Sequence, residues 1–330
     1  MKSSKSTVLT PASRRRFIKQ VGTAGIGLGL MSLAPLSSYG RNLSAGEKRI
    51  TIMHTNDTHA RMEPFPEGSG RYANMGGVAR RAALIKKVRQ ESPHNLLLDA
   101  GDVFQGTPYF NFYDGALDFE LMSMMGYDAS TIGNHEFDNK VEGFVEVAPK
   151  ANFPFVNSNY DFSGARQMGG FIRPQLIKHI NGVRIGIFGL GIAFEGLVLP
   201  DLHEGIRYRD AVATASEMAY RLRREYRCDM VICLSHVGYR YNEADRVSDQ
   251  LIANEVNGID LIIGGHTHTL LEEPEIVEKT GDEPTIISQV GHGGVVLGRL
   301  NFEFTSTNRI RRAYVANQAI DQHADKLVSR

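Results

Sequence analysis

Leu261-Ile262-Ile263-Gly264-Gly265-His266-Thr267-His268 is a short apolar run that ends in two glycines and two imidazoles. A run of this length bounded by glycine reads as a buried strand. The glycines let backbone come close to whatever the imidazoles hold. The same grammar occurs four more times upstream. Ile50-Thr51-Ile52-Met53-His54-Thr55 leads into Asn56-Asp57-Thr58-His59, and Leu96-Leu97-Leu98 into Asp99-Ala100-Gly101-Asp102. Ser130-Thr131-Ile132 leads into Gly133-Asn134-His135-Glu136, and Val231-Ile232-Cys233-Leu234 into Ser235-His236. In open α/β sheets the ligand crevice lies outside the carboxyl ends of the strands, so side chains remote in sequence converge there.

Each piece alone has an ordinary reading. A Gly-Asp pair follows many strands, Asp57-x-His59 fits a capped turn, and a lone His236 fits a satisfied core histidine. Gly-Asn-His-Glu and Gly-His-x-His are more specific. Five such strand ends in one chain point to a shared site of carboxylates, imidazoles and a carboxamide.

Between these strands the apolar period turns helical. Residues 75–90 place Val78, Ala82, Ile85 and Val88 near helical spacing, and 118–125 and 211–226 read as further helices. Strands are expected at 95–98, 128–132, 230–234 and 259–263. Asn181-Gly182, between runs at 171–180 and 183–190, signals a hairpin. Residues 284–316 read as strands with a second hairpin at Thr307-Asn308. Strand–helix alternation argues for an α/β fold, and the hairpins make part of the sheet antiparallel. With no repeats or long linkers, one compact domain is expected over residues 41–330.

Composition excludes some partners. Lys plus Arg number 37 and so do Asp plus Glu, so the formal charge is zero. That balance provides no field for capturing a nucleic-acid polymer or an anionic membrane. Ser13-Arg14-Arg15-Arg16-Phe17-Ile18-Lys19 precedes an apolar run at 21–36, rich in glycine and alanine. The run is too short to span a bilayer stably, so no stable membrane anchor is expected. This opening resembles the twin-arginine export signal, with Arg16 at the variable position. The resemblance implies a signal peptide over residues 1–40, cut near Tyr39-Gly40, and a periplasmic or secreted protein that crosses already folded. Cys228 and Cys233, the only cysteines, fall at the two ends of one predicted strand. Their odd spacing sets them on opposite faces about 16 Å apart, beyond the reach of a disulfide.

The order Asp-x-His, Gly-Asp, Gly-Asn-His-Glu, His, Gly-His-x-His resembles the calcineurin-like metallophosphoesterases. Thr55-Asn56-Asp57-Thr58-His59, Gly126-Tyr127-Asp128 and Gly133-Asn134-His135-Glu136-Phe137-Asp138 are similar to the secreted 5′-nucleotidase and UDP-sugar hydrolase branch. The resemblance covers roughly residues 49–316. It implies two mixed β-sheets packed in a sandwich and flanked by helices. It implies two divalent cations, bridged by Asp102. Asp57, His59 and His268 then complete one, and Asn134, His236 and His266 the other. Nitrogen and oxygen ligands without thiolate suit Mn²⁺, Zn²⁺ or Fe²⁺. Hydroxide held between the ions would attack phosphorus. Asn134 and His135 would contact substrate, with His135 stabilising developing charge or protonating the leaving group. Asp138 would orient that imidazole.

The substrate so implied is a small phosphate ester, nucleotides first. The alternatives are a broad phosphodiesterase, a cyclic-nucleotide or UDP-sugar hydrolase and, further off, a thiosulfohydrolase or a metal-free scaffold. The family's nucleotidases carry a further C-terminal nucleotide-binding domain. None is read here, so a separate polypeptide is a candidate to supply it.

Glu136 is expected to anchor its own loop, with Asp138 also fitting a helix cap before Val141. His54 reads as packed behind the ligands, and His292, in Gly291-His292-Gly293-Gly294, as a turn residue at the cleft mouth, with a substrate contact as the second reading. His94, His179, His203 and His323 read as surface residues. Asn157 and Asn159 follow a strand and are weaker candidates for supporting the site.

Overall fold

Alternate residues of each buried strand face different layers, and this period of two builds the molecule. The computed structural model describes residues 46–243 and 245–328. The expected export signal lies outside the described residues.

The first sheet contains β1 (Lys48–Thr55), β2 (Asn95–Asp99), β3 (Ala129–Ser130) and β4 (Phe155–Val156). Beyond a small antiparallel ribbon of β5 (Tyr160–Asp161) and β9 (Arg207–Tyr208) come β6 (Ile172–Arg173), β7 (Gln175–Ile180) and β8 (Val183–Gly191). Then follow β10 (Met230–His236), β11 (Leu261–Gly264), β12 (Glu275–Val277), β13 (Thr285–Ser288), β14 (Val296–Phe304), β15 (Ile310–Val315) and β16 (Gln318–Ala319). One sheet runs β15-β14-β1-β2-β3-β4-β6, with β16 also on β14, and the other runs β12-β13-β11-β10-β8-β7. Both are mixed. β1 to β4 are parallel neighbours while β14 is antiparallel to β1, and β8, β10, β11 and β13 are parallel while β7 and β12 are antiparallel.

Ile50 and Ile52 of β1, Leu96 and Leu98 of β2, Ile185 and Ile187 of β8, and Ile232 and Leu234 of β10 form one buried layer between the sheets. Met53 and Leu97 point the other way, into a second layer with Leu84, Ile85 and Val88 of helix α1 (Val78–Glu91) and Phe119 of α2 (Ala116–Met125). Val231, Cys233 and Ile262 face a third layer with Ala215, Met218 and Leu222 of α3 (Ala211–Arg224) and Ile252 of α4 (Asp249–Glu255). The result is the expected sandwich of two mixed sheets between helices.

Parallel pairing brings strand ends into line. Thr55 sits opposite Asp99, Asp99 opposite Ser130, and Ser235 opposite Gly264. The loops that follow therefore leave from one edge of the sandwich.

Two local expectations change. β3 is two residues long: the Thr131 N–H still donates to Asp99 O at 3.1 Å and its hydroxyl to Val156 O at 2.8 Å, and the chain then leaves the sheet. Cys228 lies outside β10, after Arg227 at φ 52°, so strand alternation does not apply to it. Both cysteines are buried, unbonded and packed in the same helix-facing layer. Both hairpins form as expected, at Asn181-Gly182 and between Phe304 and Ile310.

Candidate metal centre

The strand-end loops converge on two groups of donor atoms. Asp57, His59 and His268 form one, and Asp102, His236 and His266 the other, with the donors of each group within 4.8 Å of one another. Asn134 joins the second through Oδ1, 2.9 Å from His266 Nδ1. All seven residues predicted as ligands are thus brought together. Asp57 Oδ1 faces both groups, 3.6 Å from His268 Nε2 and 3.9 Å from His236 Nε2.

The backbone needed to aim these side chains is unusual. Asp57, His59, Asp102, His266 and His268 have φ of 49°, 50°, 53°, 70° and 51°, in the left-handed region. Non-glycine residues there cost about 1–3 kcal/mol each and persist where surrounding structure dictates them. Glycines supply the remaining space. A Cβ on Gly133 would collide with Asp102 Oδ1 and stand 2.8 Å from His236 Nε2. One on Gly265 would stand 2.8 Å from His236 Nδ1.

Hydrogen bonds on the outer ring nitrogens fix which nitrogen looks inward. His236 Nδ1 donates to Ala100 O at 2.6 Å and His59 Nδ1 to Phe104 O at 3.1 Å. That leaves Nε2 of each ring toward the centre. His236 Nε2 is buried and makes no aligned hydrogen bond, although Asp102 Oδ2 is 3.0 Å away. His59 Nε2 and His268 Nε2 lie 2.9 Å apart.

Burial sets the charge states. It lowers the pKa of His59, of His266 to about 4 and of His268 to about 3, so these rings offer lone pairs. Burial likewise raises Asp57 to about 8, opposed by His236 and reinforced by Asp102. For Asp102 burial pushes upward, but the His236 imidazole overrides it and holds the carboxyl below the usual range. An orphaned imidazole nitrogen, three neutral rings, two buried carboxylates and a carboxamide fit two divalent cations. A buried cluster of this kind without cations would leave costly unpaired groups.

Beside the centre, His135 N donates to Asp102 Oδ1 at 2.9 Å and His135 Nδ1 to Asp138 Oδ2 at 2.8 Å. Burial works against a proton on His135, but the Asp138 hydrogen bond and the Asp102 charge win and raise it to about 9. Asp138 does not cap the following helix, whose cap position is Asn139. Glu136 accepts the backbone N–H groups of Gly133, Asp102 and Val103 at 2.6, 3.1 and 2.7 Å, which is the loop-anchoring role expected of it.

His54 is fully buried behind the site, its Nε2 2.9 Å from Ser288 Oγ. His94, His179 and His323 are exposed. His203 departs from expectation, being half-buried and stacked on Phe194 at 4.0 Å. Asn159 brackets Gly191, the β8 residue opposite His236, donating to its O at 2.8 Å and accepting from its N at 2.7 Å.

Sequence reasoning missed the role of Asn56 and the partner of His292. Asn56 holds the Gly291 loop against the ligand loop, donating to Gly291 O at 2.6 Å and accepting from Val290 N at 2.9 Å. His292 stacks on His268 with centroids 4.6 Å apart. The clue was present in Gly291-His292-Gly293-Gly294, whose glycines all take positive φ, but the pairing is 24 residues from His268 and has no period.

A two-sheet sandwich with two nitrogen–oxygen donor groups at neighbouring strand ends fits a dinuclear metal site. The calcineurin-like phosphoesterase family matches this chain over residues 50–270, and the chain belongs to that family. It is similar to the trifunctional nucleotide phosphoesterase protein YfkN of Bacillus subtilis (strain 168), 33% identical over a 310-residue alignment that covers 84% of this chain and 20% of that protein. It is 38% identical to the snake venom 5′-nucleotidase of Gloydius brevicauda over 236 residues, 70% of this chain and 39% of the relative. The crystal structure of a 5′-nucleotidase precursor from Thermus thermophilus superposes with a TM-score of 0.74 at 31% identity, covering 86% of this chain and 57% of that one. The chain therefore spans under two thirds of the length of each of these relatives. Among the described residues, no helix is long and apolar enough to cross a membrane.

Proposed function

We propose that this chain hydrolyses small phosphate esters, nucleotides first among them, at a centre that holds two divalent cations. Nitrogen and oxygen donors without thiolate favour Mn²⁺, Zn²⁺ or Fe²⁺. A bound pair of such cations polarises a phosphoryl group and lowers the pKa of water. The residues of the chain supply the rest. Asp57, His59 and His268 would hold one cation and Asn134, His236 and His266 the other, with Asp102 shared between them. His135, kept protonated by Asp138, meets the charge that develops on the phosphoryl and leaving-group oxygens, or donates its Nε2 proton to the leaving group. The Asn134 amide beside it contacts the substrate.

One observation carries this reading: two groups of nitrogen and oxygen donors share one edge of the sandwich with a histidine–aspartate pair. The names of the relatives support nucleotides as the leading substrates. The test is a panel of nucleoside monophosphates, UDP-glucose, 2′,3′-cyclic nucleotides and bis-nitrophenyl phosphate, run with Mn²⁺, Zn²⁺ or Fe²⁺ and with chelator. Metal-dependent release from a nucleotide supports the reading, and no metal-dependent hydrolysis of any member sinks it.

We further read residues 1–40 as a twin-arginine export signal and 41–330 as the catalytic domain, which places the mature protein in the periplasm or outside the cell. The support is the Ser13-Arg14-Arg15-Arg16-Phe17 run before a short apolar stretch. Replacing Arg14 and Arg15 by lysine should hold the protein in the cytoplasm. Unchanged export would contradict the route.

A further inference from the structure

We propose that His292 is a positioning residue that holds the plane of His268 by stacking, and so sets the affinity of the cation site built from Asp57, His59 and His268. The inference rests on the reading of that group as a cation site.

Metal-binding histidines ordinarily have their outer ring nitrogen held by a hydrogen bond, which fixes the ring plane. His59 and His236 obey this, with Nδ1 held by Phe104 O and by Ala100 O. His266 is fastened differently, its backbone N–H donating to Asp57 Oδ1 at 2.9 Å and its Nδ1 lying against Asn134 Oδ1. His268 has neither device: among the described residues its only hydrogen-bond contact is Nε2 against His59. It is also poorly walled by the core, its side chain 40% exposed where that of Asp57 is 0%. His59 meets the ring edge on at 4.9 Å, and what covers its face is His292, parallel to within 15° at 4.6 Å. Offset aromatic stacks at this separation are favourable beyond their burial.

A stacking partner can position a ring only if its own place is fixed, and His292 meets that condition. Tyr72 and Phe65 meet it edge to face at 5.2 and 5.7 Å. Its loop is fastened to the ligand loops themselves. Gly293 N donates to Asp57 O at 2.7 Å and Gly291 N to Thr269 O at 3.0 Å. Asn56, next to Asp57, binds the loop through Gly291 O and Val290 N. Gly291, Gly293 and Gly294 sit at φ 76°, 64° and 64°, a path that side chains would resist and that brings His292 up against the centre. The ladder from Tyr72 through His292 to His268 thus replaces the missing hydrogen bond.

The test is titration of the metal-free full-length protein with Mn²⁺, read as stoichiometry and affinity by calorimetry, with thermal melting to confirm folding. The wild type should bind two ions. His292→Ala should weaken one site about 10- to 100-fold, the usual range for supporting residues, and leave the other within about twofold. His292→Phe keeps a flat ring without nitrogen and should stay within about threefold of wild type at both sites. In a His268→Ala background, adding His292→Ala should change nothing further, as expected of a residue that acts through another. Two ions bound by His292→Ala with wild-type affinity would overturn the inference, as would a His292→Phe variant as weak as His292→Ala, which would assign the effect to a nitrogen. If the wild type itself binds no Mn²⁺, the reading of the centre fails, and that result is distinct from either of these.

Discussion

The backbone N–H of Asp102 donates to Glu136 Oε2 at 3.1 Å, one of the bonds that join the loop after β2 to the loop after β3. The same carboxylate also takes Gly133 N and Val103 N, so one buried side chain, together with the His135 N bond to Asp102 Oδ1, sets the separation of Asp102 from Asn134 and His135. Glu136→Ala should leave these donors unsatisfied. The expected loss is about 3 kcal/mol of stability, together with reduced metal occupancy. Denaturant melts and metal analysis check it, and a variant as stable as wild type would contradict the anchoring role.

Gly133→Ala tests the space around the centre. Gly133 is not at positive φ, so the substitution brings no backbone strain, only a methyl group directed at Asp102 and His236. The variant should lose at least one of two bound cations. Full occupancy would show that the loop gives way easily.

His135 and Asp138 are expected to separate chemistry from metal binding. His135→Ala should lower kcat by about 10²- to 10⁴-fold with metal content unchanged. Asp138→Asn should act through pH. The Asp138 hydrogen bond helps raise His135, so the protonated form persists to higher pH in the wild type. Removing it moves the alkaline limb of the rate profile to lower pH. An unmoved limb would free His135 from dependence on Asp138.

Acid should destabilise the metal-free protein partly through His54. Burial lowers its pKa to about 3, against an unfolded value near 6.5. A depressed histidine contributes stability that is present above the unfolded value and lost as pH falls from about 6.5 toward 3, at about 1.4 kcal/mol per pH unit. His54→Asn should therefore show a shallower fall between pH 6.5 and 4.5 in denaturant melts. Equal slopes would place the proton uptake elsewhere.

Much of this was readable from residues alone. The five strand ends stood out because strands are short apolar runs and glycines flank the ligands, and parallel pairing then brings remote ends together. Both hairpins and the strand-end candidates follow from local pattern, while the division of those candidates into two ligand sets and the two-sheet sandwich came from the family resemblance. What the pattern does not carry is register and crowding. β3 stops after Ser130, with the Thr131 backbone still bonded to Asp99 O and its hydroxyl on Val156 O, an arrangement with no signature in Ser130-Thr131-Ile132. Cys228 joins Cys233 in one layer because Arg227 turns the chain before β10 begins. The stack of His292 on His268 depends on two loops meeting, fastened by Asn56, and neither loop has a period to read.

The central claim is a two-cation phosphoesterase, and the most direct measurement is metal content of the purified protein alongside phosphate release from a nucleoside monophosphate. The account predicts two equivalents of divalent transition metal per chain and hydrolysis that chelation abolishes and added metal restores. A protein that binds fewer than two ions under saturating metal, or that hydrolyses the nucleotide equally well without any, would contradict it.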